Sequence, residues 1–173
     1  MAGVLRRGGL IGHYTSTLPG VACSPKLAQG IKQMQRFKKR HGPFLLLADS
    51  IQTARGYIRW YPSGLRKLIK SVWPGQTTLV IPARPGLPSV CYQKGMLAIR
   101  VDADLAGRGL ARACGGLLLS SSLNRRGGTV RRPCYAVQMR WHRFLSGRVN
   151  MGESSGNAST IYRIDHRGSH KLR

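Results

Sequence analysis

The chain has 173 residues, 42% of them hydrophobic and 20% charged, and its 29 Lys and Arg against 5 Asp and Glu give a formal charge of +24. That is one domain's worth of chain, with enough apolar residues to bury a core, which excludes a wholly disordered protein. No apolar run approaches the ~20 residues of a membrane-spanning helix.

Gly8-Gly9 precede a short strand predicted from Leu10 to about Tyr14, followed by a loop with Pro19-Gly20. Ser24-Pro25 reads as an N-cap followed by Pro at the first helical position, and Leu27, Ile31 and Met34 recur at i, i+4, i+7. This spacing predicts a helix from about Pro25 to Phe37. It runs into Lys38-Lys39-Arg40 and is broken by His41-Gly42-Pro43, after which the apolar run Phe44 to Ala48 reads as a buried strand. Ser50 caps a second helix through about Ile58, and Pro62 opens a third with Leu65, Leu68, Ile69 and Val72 inward, stopped by Trp73-Pro74-Gly75. Strands are predicted at Thr77–Pro82, Val90–Tyr92 and Met96–Val101, the last two as an antiparallel hairpin. A helix from Leu105 to about Cys114, a buried strand from Leu117 to Ser121 and a Gly- and Arg-rich loop from Asn124 to Pro133 follow. Val137, Trp141 and Phe144 mark a further helix, residues 146–156 read as loop, and Ser159 to Ile164 as the last strand. Interleaved strands and helices make the class α/β, built on one mixed sheet.

All five acids can be named: Asp49, Asp102, Asp104, Glu153 and Asp165. Two-carboxylate hydrolysis has only Asp102/Asp104 to draw on, and a carboxylate-rich metal site is equally short of ligands. The positive charge is spread along the chain, with 21 Arg to 8 Lys, and is expected to attract polyanions, nucleic acid first among them. Cys23, Cys91, Cys114 and Cys134 form no CxxC, and no histidine stands at metal-ligand spacing from them. No sustained apolar segment opens the chain as a secretion signal would. Buried free thiols in a reducing cytoplasm are the expectation.

Three short segments place polar groups at element ends, where α/β sheets bind ligands. They are Thr15-Ser16-Thr17 after the first strand, Lys38-x-Arg40 after the first long helix, and Ser120-Ser121-Ser122-Leu123-Asn124 where a buried strand runs out. Hydroxyls and backbone N–H groups hold phosphate, and Lys and Arg supply the charge. Taken singly, each is more often a turn with local side-chain bonds or a helix cap.

Taken together and in order, the segments resemble the YrdC/TsaC family over nearly the whole chain. Leu5 to Pro25 (LRRGGLIGHYTSTLPGVACSP) resembles the family's opening GGVIAYPTEAVYGLGCDP, and Lys38-Lys39-Arg40 its KxR motif. SVWPGQTTLVIPA at 71–83, LAIRV at 97–101, LLSSSLNRRG at 118–127 and NASTI at 157–161 resemble its WPGPLTLVL, LAVRV, STSANLSG and NPSTI segments.

The resemblance implies a single domain over 1–173, a twisted mixed sheet with flanking helices and a basic concave face, the N-terminal helix being shortened. It implies a nucleotidyltransferase, L-threonylcarbamoyladenylate synthase, which joins L-threonine, bicarbonate and ATP and releases pyrophosphate. The product serves threonylcarbamoylation of adenosine 37 in ANN-decoding tRNA, through a partner transferase complex. ATP is the nucleotide substrate, with Mg²⁺ bridging its phosphates.

Carried over, Lys38, Arg40 and Thr15 are the catalytic residues, and Lys38, Arg40, Ser120, Ser122, Asn124 and Ser159 hold the nucleotide. Thr15, Arg100 and Ser122 line the threonine and bicarbonate pocket. No protein metal ligands are expected, and the location is the cytoplasm. The family's PTE reads Tyr14-Thr15-Ser16 here, its WPGP reads Trp73-Pro74-Gly75-Gln76, and its Asp before Pro is Ser24. An active enzyme must therefore replace the lost glutamate from elsewhere. The alternative expectation is a YrdC-like fold that has lost the reaction and binds RNA through its charge.

Overall fold

A computed structural model describes residues 1–125, 127–149 and 152–173. Arg126 of the expected Gly- and Arg-rich loop, and Asn150 and Met151 of the later expected loop, lie outside the described residues.

A five-residue helix, α1 (Ala2–Arg6), leads through Gly8-Gly9 into β1 (Leu10–His13), which pairs antiparallel with β2 (Gly20–Cys23). The β2 strand was expected as loop, because Pro19-Gly20 is a turn signal and only four residues follow it. Helix α2 is Ala28–Lys38, and its N-cap is Leu27 with no side-chain cap bond. This corrects the predicted start at Ser24-Pro25: Ser24 Oγ instead accepts from Lys26 N–H, closing a turn one step earlier. At the other end Lys39 takes the left-handed conformation (φ 51°) and its N–H returns to Gln35 O.

Strand β3 (Leu45–Ala48), α3 (Ile51–Gly56), α4 (Ser63–Val72) and β4 (Thr77–Pro82) lie where the pattern put them. Ser50 Oγ caps α3 by accepting from Thr53 N–H, and Pro62 is the N-cap of α4, which buries Leu65 and Ile69. The expected strand Val90–Tyr92 is mostly a 3₁₀ turn, Ser89–Cys91, followed by the two-residue β5 (Tyr92–Gln93). It still forms the expected antiparallel hairpin with β6 (Met96–Val101). Helix α5 (Leu105–Ala113) is capped by Asp104, whose Oδ2 accepts from Gly107 N–H at 2.6 Å, and β7 is Leu117–Ser122. Helix α6 (Tyr135–Arg140) stops before Trp141 and Phe144, expected within it; both rings pack edge-on against Phe37, at 5.0 and 5.8 Å between centroids.

Strand β8 (Leu145–Arg148) was expected as loop because Ser146 and Gly147 break its pattern; β9 is Thr160–Asp165, and β10 (Gly168–Lys171), wholly exposed, has no apolar face to betray it. The strands form one mixed sheet, ordered β10-β9-β4-β6-β3-β7-β2-β1-β8, with β5 beside β6.

Period-2 alternation divides the core between the sheet's two faces. Leu10, Val21, Cys23, Leu46, Ala48, Leu117 and Leu119 point to the larger cluster, under α2, α3 and α4. Ile11, Ala22, Leu47 and Leu118 point to the smaller one, under Leu5 of α1 and Ala111 of α5. Central strands covered on both faces read as unbroken apolar runs, which is why β3 and β7 were legible. No helix among the described residues is long and apolar enough to cross a membrane. All four cysteines are free. Three are buried, and burial pushes the Cys23 and Cys91 thiols up to about 12; Cys134, expected buried, is exposed.

Candidate functional site

The alternation that sends Leu118 and Ile11 to the smaller cluster sends Ser120, Ser122 and His13 to the same face. Arg100, between the oppositely directed Ile99 and Val101, shares it. Two short helices cover only part of that face, and beyond them lies a cavity of about 200 Å³. Thr15, Arg40, Arg100, Ser120, Ser122 and Ser159 all line it. Six of the eight expected site residues, from five separate segments, thus meet in one place. The other two, Lys38 and Asn124, are bonded to each other beside its wall.

Arg100 is 2% exposed and its guanidinium forms an ion pair with Asp102 at 2.7 Å. It also donates to Thr17 Oγ1 at 2.8 Å. Thr15 Oγ1 donates to Leu18 O, so the Thr17 hydroxyl is the donor in the 3.0 Å Thr17–Thr15 bond. A directed chain therefore runs from Arg100 through both threonines to the backbone. Arg100 Nε is buried without a partner. Asp102 Oδ1 accepts from Ser16 N–H at 2.8 Å and Asp104 N–H at 2.9 Å. The Asp102 carboxylate is thus spent on structure, and it braces the loop from which the family's glutamate is missing. Gln76 Nε2 donates to Ser16 O at 2.7 Å and holds the same loop from its other side. Among the described residues lining the cavity there is no Asp or Glu side chain, and Glu153 lines a neighbouring cleft.

The Lys38 ammonium has three protons and finds four acceptors: Ser122 O at 2.8 Å, Asn124 O at 2.6 Å, Asn124 Oδ1 at 2.9 Å and Ser122 Oγ at 3.5 Å. Ser122 Oγ donates to Asn124 Oδ1, and Asn124 Nδ2 to Gly128 O. In the free protein Lys38 clasps the end of β7. Burial, with the nearby Arg40 guanidinium, pushes its ammonium down to about 8. The left-handed turn at Lys39 sends Arg40 to the cavity, where its guanidinium lies 4.6 Å over the Phe44 ring.

Ser159 Oγ accepts from Thr78 at 3.1 Å. Arg173, a lining residue the sequence reading missed, donates from Nε to Ser159 O at 3.0 Å. Its backbone N–H and C=O pair with Ile161, so it reaches the cavity only because β10 folds back along β9. Nothing in the local sequence around Arg173 signals that. Residues 154–156 clamp the first loop, Ser154 Oγ donating to Thr15 O and Gly156 N–H to Thr17 O. The resulting cavity is cationic and lined with hydroxyls, which suits a small anionic ligand.

A family model for Sua5, YciO and YrdC proteins, described as telomere recombination, matches residues 3–173. The threonylcarbamoyl-AMP synthase of Halorhodospira halophila is 34% identical over 140 residues, 79% of this chain and 71% of that one. The same-named protein of Stenotrophomonas maltophilia is 32% identical over 160 residues, 89% and 85% of the two chains. Among solved structures, P. abyssi Sua5 complexed with L-threonine superposes with a TM-score of 0.88 at 22% identity, covering 99% of this chain. This chain spans about half of that Sua5, 52% of its length. E. coli YciO gives 0.86 at 18% identity, covering 99% of this chain and 85% of the other.

Proposed function

The chain belongs to the Sua5/YciO/YrdC family, and on that premise we propose that it is an L-threonylcarbamoyladenylate synthase. The observation that carries this reading is the cavity itself. Arg100 presents an unpartnered buried Nε beside Thr15, Ser120 and Ser122, with Arg40 and Arg173 on the rim. At about 200 Å³ it is below the ~300–1,000 Å³ usual for drug-sized ligands and suits an amino acid with bicarbonate. A cleft of about 590 Å³, lined by Tyr14, Pro19 and Arg131 among others, shares Leu18 with it.

In this reading the guanidinium of Arg100 and the hydroxyls of Thr15 and Ser122 hold threonine and bicarbonate. Lys38, Arg40, Ser120, Ser122, Asn124 and Ser159 receive the phosphates and nucleotide. Forming the adenylate then asks the protein chiefly to align reactants and neutralise phosphate charge. Mg²⁺ would enter with ATP as MgATP, where it would neutralise phosphate charge. No side chain is assigned to it, since Asp102 is already committed. The adenylate would serve threonylcarbamoylation of adenosine 37 in ANN-decoding tRNA through a transferase complex, in the cytoplasm.

The test is pyrophosphate release from ATP by the purified protein. Release that requires both L-threonine and bicarbonate is expected. Release independent of threonine, or none from protein that binds ATP, overturns the assignment.

A second reading, RNA binding, is favoured by a further cleft of about 650 Å³, which shares Thr129 and Arg131 with the cleft of about 590 Å³. Arg125, Arg131, Arg140 and Arg143 line it with Trp141 and Phe144, and no acid is among its described lining residues. Arg125 lies 4.9 Å over the Phe144 ring, leaving an aromatic and guanidinium surface suited to phosphates and exposed bases. RNA affinity is expected to fall steeply with salt. Arg140→Ala and Arg143→Ala should each lower the log–log slope by about 1. A slope unchanged in both variants excludes this cleft as the RNA surface.

A further inference from the structure

His13 ends β1, and its partner across the ladder on β2 is Gly20. A Cβ at Gly20 would come within 2.6 Å of His13 Nε2. The missing side chain is what lets the imidazole pass over the middle strand. It reaches β7, where Nε2 lies 3.0 Å from Ser120 Oγ. Ser120 belongs to the next strand over, opposite Ala22 of β2, and lines the cavity with Arg100 and Arg40. His13 is fully buried and its Nδ1 has no partner. With no partner in hydrogen-bonding geometry at Nδ1, a proton there would be an orphaned buried N–H, rarer and costlier than an orphaned acceptor, which favours the proton on Nε2.

We propose that His13 is a positioning residue: its Nε2–H donates to Ser120 Oγ and thereby turns the serine's own proton into the cavity, toward an anionic oxygen of the bound ligand. That oxygen belongs either to an amino-acid carboxylate or to a nucleotide phosphate. The inference rests on the reading of the cavity as the threonine and nucleotide site, and goes beyond it in giving Ser120 its orientation. A role as general base does not fit. Burial holds the imidazole down to about 4, with Asp102 and the Tyr14 backbone only partly opposing and Arg100 pushing the same way as burial. A base that weak takes up almost no proton at neutral pH. The same number makes the donation constant from pH 6 to 8.

Titration calorimetry with L-threonine alone and with ATP alone reads the effect and separates the two anion sources. His13→Phe fills the space without a donor and is expected to weaken one of the two ligands about tenfold, the scale of a hydrogen bond to a charged group. His13→Gln, which restores an N–H at similar reach, should recover most of that loss, as a merely space-filling role would not require. In a Ser120→Ala background the His13→Phe loss should vanish. Wild-type binding with His13→Phe unchanged for both ligands overturns this inference alone. A wild type that binds neither ligand overturns the site reading and this inference with it. Should His13→Phe fail to fold, Ser120→Ala alone carries the test, and unchanged affinity for both ligands there overturns the inference.

Discussion

Replacing Arg100 by leucine is expected to cost about 3–5 kcal/mol of folding stability, the usual price of stranding one partner of a buried ion pair. Arg100 and Asp102 are both 2% exposed and meet at 2.7 Å. Losing the guanidinium leaves the Asp102 carboxylate buried, with only the Ser16 and Asp104 N–H groups to hold it. Those two bonds put the expected loss at the lower end, about 3 kcal/mol, or roughly 6–12 °C in a chain of this size. Asp102→Asn should be as damaging, since it leaves Arg100 buried with the neutral Thr17 as its hydrogen-bonding partner. The double variant Arg100→Leu with Asp102→Asn should recover part of the sum, because no unpaired charge remains. Urea midpoints for the three variants measure this directly. Single variants within 1 kcal/mol of wild type would mean that water reaches the pair. Arg100→Leu also removes the only buried guanidinium among the described residues of the cavity wall, so threonine binding should be lost even at temperatures where the variant stays folded.

Lys38→Met is expected to lower ATP-dependent pyrophosphate release about 10²–10³-fold, the scale seen when one preorganised donor to developing charge is removed. The clasp explains why the effect should be large. Two backbone carbonyls and Asn124 Oδ1 lose a charged donor together, and the end of β7 loses the register that carries Ser122 and Asn124. The pH dependence follows from the same geometry. The free protein holds the Lys38 proton only to about 8, so between pH 7 and 9 the ammonium discharges and ATP affinity should fall. Lys38→Arg, which stays charged, should show a flat profile over that range. The stability contribution of this group moves the other way. The unfolded chain keeps the proton to about 10.5 and the folded chain releases it near 8, so between those values the unfolded state binds more protons and stability rises with pH. A wild-type ATP affinity that is flat from pH 7 to 9 would sink the assignment of Lys38 to the phosphates.

Much of the site was legible because its residues are polar groups at the ends of strongly patterned elements. Lys38 and Arg40 close a helix whose apolar face is unmistakable, and Ser120 to Asn124 lie where a strand buried on both sides runs out. What stayed hidden depends on chain segments with weak patterns. Arg173 reaches the cavity by way of β10, an exposed strand without apolar alternation. Thr17 belongs to the polar segment singled out after the first strand, but its role in linking Arg100 to Thr15 depends on a residue 83 positions away. Gln76, where the family pattern has proline, looks like a simple loss until it is seen holding Ser16 O.

By itself, then, the sequence determined the class, the order of the patterned elements and the three polar segments at their ends. Those follow from periodicity, capping and composition, which act over a few residues and survive without any partner. Tertiary structure alone decided strand order and pairing, including β2 and β8 where the local pattern is short or broken. It decided that Asp102 is a buried brace and not a free acid, that Lys38 rests in a clasp, and that His13 reaches Ser120 across a glycine. Each is a contact between residues more than 80 positions apart or on non-adjacent strands, set by packing and by the need to pair buried polar groups. No local signal along the chain encodes such a contact.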